Sequence, residues 1–322
     1  FGVSPIVFFL MRVCAPDPAP IVLGQHATQE SMDAWREANG LNDPVVVQYV
    51  DFIKGAFTGD LGTSYYTKTP VVDEIMSRFP ATVELAIVAI ILASVLGIVV
   101  GVISAVHKSS IFDNGGMLLS LVGVSIPIFW LGIMLIILFS GTLHWLPSTG
   151  RVDPALRPDT VTGFMIIDSI LAGDMEALKD VLRHLVLPAV TLSLYSMAII
   201  ARMTRSSMLE TLNQDYIRTA RAKGVPEGKV TRRHALRNAM LPVATVIGLQ
   251  LGSLLGGAVL TESVYSWPGI GNYTVQCIMK SDFPVVQGVV LLIAVIFVLM
   301  NLIVDVVYAF LDPRIKYSGK EA

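Results

Sequence analysis

The sequence predicts an all-α membrane protein of six transmembrane helices, and three observations carry that expectation. Of its 322 residues 53% are apolar and only 15% charged, too little charge to clothe a water-soluble domain. Stretches near the 17 to 25 apolar residues that cross a bilayer as a helix recur at 80–106, 115–143, 185–201, 240–261 and 285–311. Positive charge is concentrated between two of them: 202–240 holds Arg202, Arg205, Arg218, Arg221, Lys223, Lys229, Arg232, Arg233 and Arg237 against Glu210, Asp215 and Glu227. The net charge of −2 decides little, because in a membrane protein the side of each charge carries the information.

In chain order, Phe1 to Val13 is too short to span. It reads as the tail of a first transmembrane helix truncated in this sequence; a cleaved signal peptide would need a small-residue cleavage site, and none follows. Residues 14–79 form a first outer insertion with nine acids and four bases, containing a helix over Gln29 to Asn39 ended by Gly40 and turns at Gly59-Asp60-Leu61-Gly62. The second span, Pro80 to Val106, carries Glu84 one turn inside and Gly97 and Gly101 four apart, a spacing that lets helices approach closely. In the third, Gly115 to Leu143, Pro127 removes a backbone donor and predicts a kink beside Ser125. A second outer insertion occupies 147–184, and the fourth span runs Leu185 to Ala201. The fifth, Met240 to Thr261, has glycines at 248, 252 and 256 and ends at Glu262; the sixth, Val285 to Leu311, carries Asn301 and Asp305 on one face.

The positive-inside rule places 202–239 in the cytoplasm. Alternation then puts Lys108 and the tail Arg314, Lys316 and Lys320 on the same side and the two insertions outside. Cys14 and Cys277 fall on the outer side, where a disulfide is open to them; two unpaired small apolar residues is the simpler reading. The chain reads as one transmembrane domain, 1–322.

Several chemistries are disfavoured. Gly123-Val124-Ser125 would need a histidine base to act as an intramembrane protease, but His26, His107, His144, His184 and His234 lie in loops or at span ends, and their scatter argues against a buried metal site. An ion-coupled carrier needs ionisable groups on its pathway; the candidates for pathway or bundle polar residues are Glu84, Ser125, Asn301 and Asp305, with Asp305 favoured as structural.

The basic loop fails as a phosphate loop: three residues, not four, separate Gly224 from Gly228, and Val230 follows Lys229. It reads instead as a two-turn helix, Tyr216 to Lys223, capped by Asn213 or Asp215, favoured at its end by Arg221 and Lys223, and stopped by a left-handed Gly224 before Pro226. Tyr216, Thr219, Ala220 and Lys223 line one face, with small Ala220 admitting a partner. A topology anchor or an anionic-lipid patch remains the plainer alternative.

At Thr219-Ala220-Arg221-Ala222-Lys223-Gly224, followed by His234-Ala235-Leu236-Arg237-Asn238-Ala239-Met240-Leu241-Pro242, the chain resembles the ATPase-coupling loop of ABC importer permeases of the dipeptide, oligopeptide and nickel group. Gly59-Asp60-Leu61-Gly62-Thr63-Ser64, Pro80-Ala81-Thr82-Val83-Glu84-Leu85, Arg202-Met203-Thr204-Arg205-Ser206-Ser207-Met208, Ser266-Trp267-Pro268-Gly269 and Asp312-Pro313-Arg314-Ile315 are similar to that group too. Arg218-Thr219-Ala220 stands where the general importer pattern has Glu-Ala-Ala, a departure the peptide-type subgroup shares. The resemblance implies the type I permease fold and a multi-pass subunit of the bacterial cytoplasmic membrane. It implies no enzyme activity and no cofactor in this chain, with ATP and Mg held by two partner ATPases. Asp215, Tyr216, Arg218, Thr219, Ala220, Arg221, Ala222, Lys223 and Gly224 become the coupling residues. The other implied partners are a homologous second permease, an outer substrate-binding protein, membrane lipid and a peptide substrate, with no nucleic acid. Thr162-Gly163-Phe164-Met165-Ile166-Ile167-Asp168 is most similar to the dipeptide branch; oligopeptides, glutathione, nickel and haem remain as alternatives.

Overall fold

The computed structural model describes residues 3–24 and 26–311, and among them every regular element is helical apart from one isolated bridge between Thr63 and Pro70. Helices α1 (Val3–Cys14), α2 (Pro18–Leu23), α3 (Gln29–Ala38) and α4 (Val45–Thr58) precede α5 (Val71–Val106). Then come α6 (Ile111–Ser125), α7 (Ile128–Leu135) with a π-helical turn to Thr142, α8 (Met165–Leu171) and α9 (Met175–Leu212). The short α10 (Asp215–Ala222) and α11 (Glu227–Lys229) lead through a π-turn, Val230–Ala235, into α12 (Leu236–Gly257); α13 (Val259–Val264), α14 (Ile270–Met279) and α15 (Phe283–Leu311) complete the order.

Four helices among the described residues are long and apolar enough to cross a membrane, and the bent pair α6 and α7 makes a fifth. The expected second, fourth, fifth and sixth spans fall on α5, α9, α12 and α15. Pro127 does more than kink the third: α6 stops at Ser125, Ile126 turns extended, and α7 departs at 102°. Proline pushes the preceding residue out of the helical region and offers no donor to the turn before it, so the helix breaks rather than bends.

The glycine stripes close seams within the bundle. A Cβ on Gly101 would lie 2.5 Å from the Thr204 side chain and 2.6 Å from the Ala201 carbonyl, and one on Gly97 would lie 2.9 Å from Ile200, so α5 and α9 run side by side at backbone contact. Gly248 and Gly256 leave the space that Val304 and Ile293 fill, joining α12 to α15. On the far face of α5, Ile87, Ile91, Val95, Val99 and Ile103 stay uncovered, a stripe at four-residue spacing suited to acyl chains or a neighbouring subunit.

The first insertion is helical and tied down. In α3 the Thr28 side chain caps the Ser31 N–H, and Gly40 takes φ +65° beyond the end, much as its sequence predicts. Helix α4, closed by left-handed Gly59, is not among the sequence-based expectations. The buried Asp282 accepts from the Ser64 hydroxyl at 2.6 Å and the Tyr65 N–H at 3.1 Å, pinning the insertion to the start of α15. Cys277 is buried and unpaired among the described residues; the side chains of Cys14 and Asp305, and the tail with Asp312-Pro313-Arg314-Ile315, lie outside them.

Candidate functional site

The basic loop folds onto the ends of α5 and α9 as a seated helix. Helix α10 is short enough that its own hydrogen bonds cannot hold it; its one large apolar side chain, Ile217, is fully buried among Ala105, Met208, Val230, Ala235 and Ala239. The Tyr216 hydroxyl accepts from Asn238 Nδ2 at 2.8 Å, and Arg221 reaches Glu227 at 2.6 Å across the exit turn. Sequence reasoning missed Ile217 as the anchor, although it is the lone large aliphatic residue of Asp215–Ala222.

Both ends differ in detail from expectation. The N-cap is Gln214, with no side-chain cap bond. Asn213 instead closes α9, its amide donating to the Leu209 carbonyl, and Asp215 is the first helical residue, where its carboxylate suits the positive end of the helix. Gly224 has φ +73° as expected. Its N–H donates to the Arg221 carbonyl at 2.9 Å, and the Val225 N–H to that of Ala220 at 3.2 Å, the paired pattern of a Schellman stop.

That stop also gives Ala220 an internal contact. In this motif the residue two beyond the cap packs on the residue three before it, and Ala220 and Val225 are both half-buried against the Ile217 cluster. Ala220 therefore packs in part against the protein's own core. The outward face consists of Arg218, Thr219, Ala222 and Lys223, all exposed, with Asp215 at its start.

Behind this surface Arg205 grips Asp113 with two bonds, 2.6 and 2.8 Å, while Asp113 also accepts the Ser109 N–H. The start of α6 is thereby fastened to the last turns of α9. Arg205 belongs to a stretch singled out in the sequence; its acidic partner 92 positions away does not announce itself.

At the opposite end of α5, Glu84 is 4% exposed. Its carboxylate takes Arg151 at 2.6 and 3.0 Å and the Ile166 N–H at 2.9 Å. Three donors from the second insertion thus hold the Glu84 carboxylate within the bundle. Two residues earlier, Thr82 donates to Glu262 at 2.6 Å and accepts the Ile270 N–H, and Trp267, fully buried, donates to the Ala81 carbonyl. Gly269 and Gly271 leave the room Glu262 needs: side chains there would run into its carboxylate. The second insertion is further fixed by Asp168; burial works against its charge, but Thr162 and the Gly163 N–H hold its pKa below the ordinary carboxylate value. Of the other polar candidates, Ser125 is exposed and donates to the Leu121 carbonyl beside the Pro127 break, and Asn301 is half-buried on α15.

Residues 97–317 match the family described as binding-protein-dependent transport system inner membrane component, and residues 1–86 match the family of its N-terminal part. The chain is 45% identical over 319 residues to the di/tripeptide transport system permease protein DppB of Pseudomonas aeruginosa, covering 99% of this chain and 95% of the relative. It is 46% identical over 323 residues to the dipeptide transport system permease protein DppB of Escherichia coli K12, covering 98% and 95%. Among solved structures, the inward-facing MetNI methionine ABC transporter superposes with a TM-score of 0.56 at 18% identity, covering 74% of this chain and 96% of that one, a likeness of fold.

Proposed function

The chain belongs to the family of binding-protein-dependent transport system inner membrane components, and from that premise we propose that it is the permease subunit of an ATP-driven importer of dipeptides and tripeptides in a bacterial cytoplasmic membrane. The observation that carries the coupling role is α10: a helix fixed by Ile217 at the junction of α5 and α9, with a small and basic face turned outward. A rigid knob of that kind passes displacement between a bound ATPase and the spans, whereas a lipid patch would need only the charge. Two cytoplasmic ATPases holding ATP and Mg, a homologous second permease and an outer substrate-binding protein complete the proposed assembly; this chain binds no nucleotide and catalyses no reaction.

The substrate class rests on full-length similarity to permeases named for dipeptides and di/tripeptides. Against an ion-coupled carrier, the buried carboxylates Glu84 on α5 and Asp113 on α6 are each tied to an arginine, and Glu262 is held by Thr82 and the Asn272 N–H.

The test is reconstitution in proteoliposomes with partner permease, ATPases and binding protein. ATP-dependent uptake of Ala-Ala is expected, with hydrolysis stimulated by loaded binding protein. Uptake by this chain without ATPases, driven by an ion gradient, would overturn the assignment; binding of chelated nickel but not peptides by the cognate binding protein would overturn the substrate.

A further inference from the structure

A cavity of about 290 Å³ opens on the face bearing the first insertion, between the end of α1, helix α4 and the start of α15. Its polar groups are arranged unusually. Arg12 sits between two rings, its guanidinium carbon 5.2 Å from the centre of Phe8 and 4.9 Å from that of Phe283, yet its buried Nε and Nη1 have no hydrogen-bond partner among the described residues. Gln287, 6% exposed on α15, leaves Nε2 unpartnered in the same cavity. Gln48 spends its amide nitrogen on the Leu41 and Asp43 carbonyls and keeps Oε1 buried and unpaired among the described residues. At the rim, Asp51 and Asp60 are exposed lining residues.

Buried donors left without partners cost stability and want an explanation. Water could fill the space and satisfy the two glutamines, but it would leave the guanidinium, partly buried against two rings, with no carboxylate paired directly to its free N–H groups. A carboxylate supplies both missing parts, two acceptor oxygens and a negative charge, in the planar form a guanidinium pairs with best. The rim has the opposite sign. A molecule entering carboxylate first would leave its ammonium beside Asp51 and Asp60, and a zwitterion of about dipeptide size matches that order of charges.

We propose that this cavity is a binding site for a small zwitterionic peptide, its carboxylate held by Arg12 and Gln287 and its ammonium by Asp51 and Asp60 at the mouth. A peptide bound here would bridge the first insertion and the sixth span. The identification of the ligand as peptide rests on the function proposed above; the site's charge pattern does not.

The test titrates Ala-Ala into the assembled permease complex in lipid nanodiscs, with the outer binding protein omitted so that its own peptide site contributes nothing. Saturable binding is expected. Amidating the peptide's carboxylate should weaken it about 10- to 100-fold, the worth of a charge-assisted hydrogen bond, and Arg12→Gln should weaken Ala-Ala binding similarly while leaving the amide's weak binding unchanged. Gln287→Leu, which keeps the volume, should give a smaller loss. Because the amide comparison needs no mutation, it stands even if Arg12→Gln assembles poorly. Equal affinity for peptide and amide, full affinity in an assembled Arg12→Gln complex, or no saturable binding at all would each overturn the site. ATP-dependent uptake with binding protein restored is read separately, so a functioning importer without this site would refute the cavity's role alone.

Discussion

Arg151, in the second insertion, is 7% exposed, and the Glu84 carboxylate is its direct ion-pair partner. Removing one member of such a pair strands the other charge, at a cost of about 3–5 kcal/mol, whereas replacing both with apolar groups of similar volume is often neutral. Arg151→Leu alone should therefore lower the unfolding midpoint in detergent far more than Glu84→Leu with Arg151→Leu, and single and double variants that behave alike would show that the pair is not the relevant unit. Asp282 gives a pH signature. Burial raises its pKa above the ordinary carboxylate value, opposed by the Ser64 hydroxyl and the Tyr65 N–H. The folded chain then holds that proton more tightly than the unfolded chain. Stability from this group falls as pH climbs from the ordinary carboxylate range through the raised value and stays lower above it. Asp282→Asn should remove that component of the slope, and unfolding temperatures recorded across acid pH for both proteins check it; superimposable profiles would mean that another group carries the slope.

At the scale of elements, α10 makes a two-part prediction. Ala222 and Arg218 lie one turn apart on the outward face, so Ala222→Trp should obstruct ATPase docking without disturbing the fold, abolishing uptake while the permease still assembles. Gly224→Val forces a β-branched residue into the left-handed region at about 1–2 kcal/mol and should loosen the exit turn, giving ATPases that dock but respond weakly to loaded binding protein. Normal ligand-stimulated hydrolysis in both variants would remove α10 from the coupling path. A bulky residue at Ala220 would be a poorer probe, because it would collide with Val225 and the Ile217 cluster before any partner arrived. Ala220 shows where sequence reading reaches its limit. The stop at Gly224 was legible because a glycine before Val225-Pro226 has one obvious use, and α3 was legible from the run beginning at Gln29 and closed by Gly40. The inward turn of Ala220 was not, since it depends on a contact made after the helix has ended. Helix α4 escaped notice because Val45–Thr58 lies in an insertion read mainly through its turns. The partners Arg205 with Asp113 and Glu84 with Arg151 are 92 and 67 positions apart, distances that no local periodicity encodes.

Across the whole molecule, α5 and α9 have 36 and 38 residues, about 54 and 57 Å at 1.5 Å per residue, well beyond the ~30 Å hydrocarbon core. Both pass through or beside the layer of Glu84, Trp267 and Glu262 and end at the seat of α10, so any influence of a binding protein on an ATPase has two parallel struts to travel along. Their seam at Gly97 and Gly101 leaves no room for a side chain, a close interdigitated contact that resists sliding of one helix along the other. Gly101→Leu should wedge the struts apart near Ala201 and Thr204, leaving the outer layer and the outward face of α10 intact. Binding-protein docking and ATPase association, each measured by co-purification, should persist, while stimulation of hydrolysis by loaded binding protein and peptide uptake should fall together. Gly115→Leu is the matched control, because a side chain there enters open space and should leave both readouts unchanged. If Gly101→Leu retains normal stimulation, the signal does not pass along the α5 and α9 pair. The broken span at Ser125 to Ile128, the other conspicuous discontinuity between the two ends of the molecule, would then be the place to look for it.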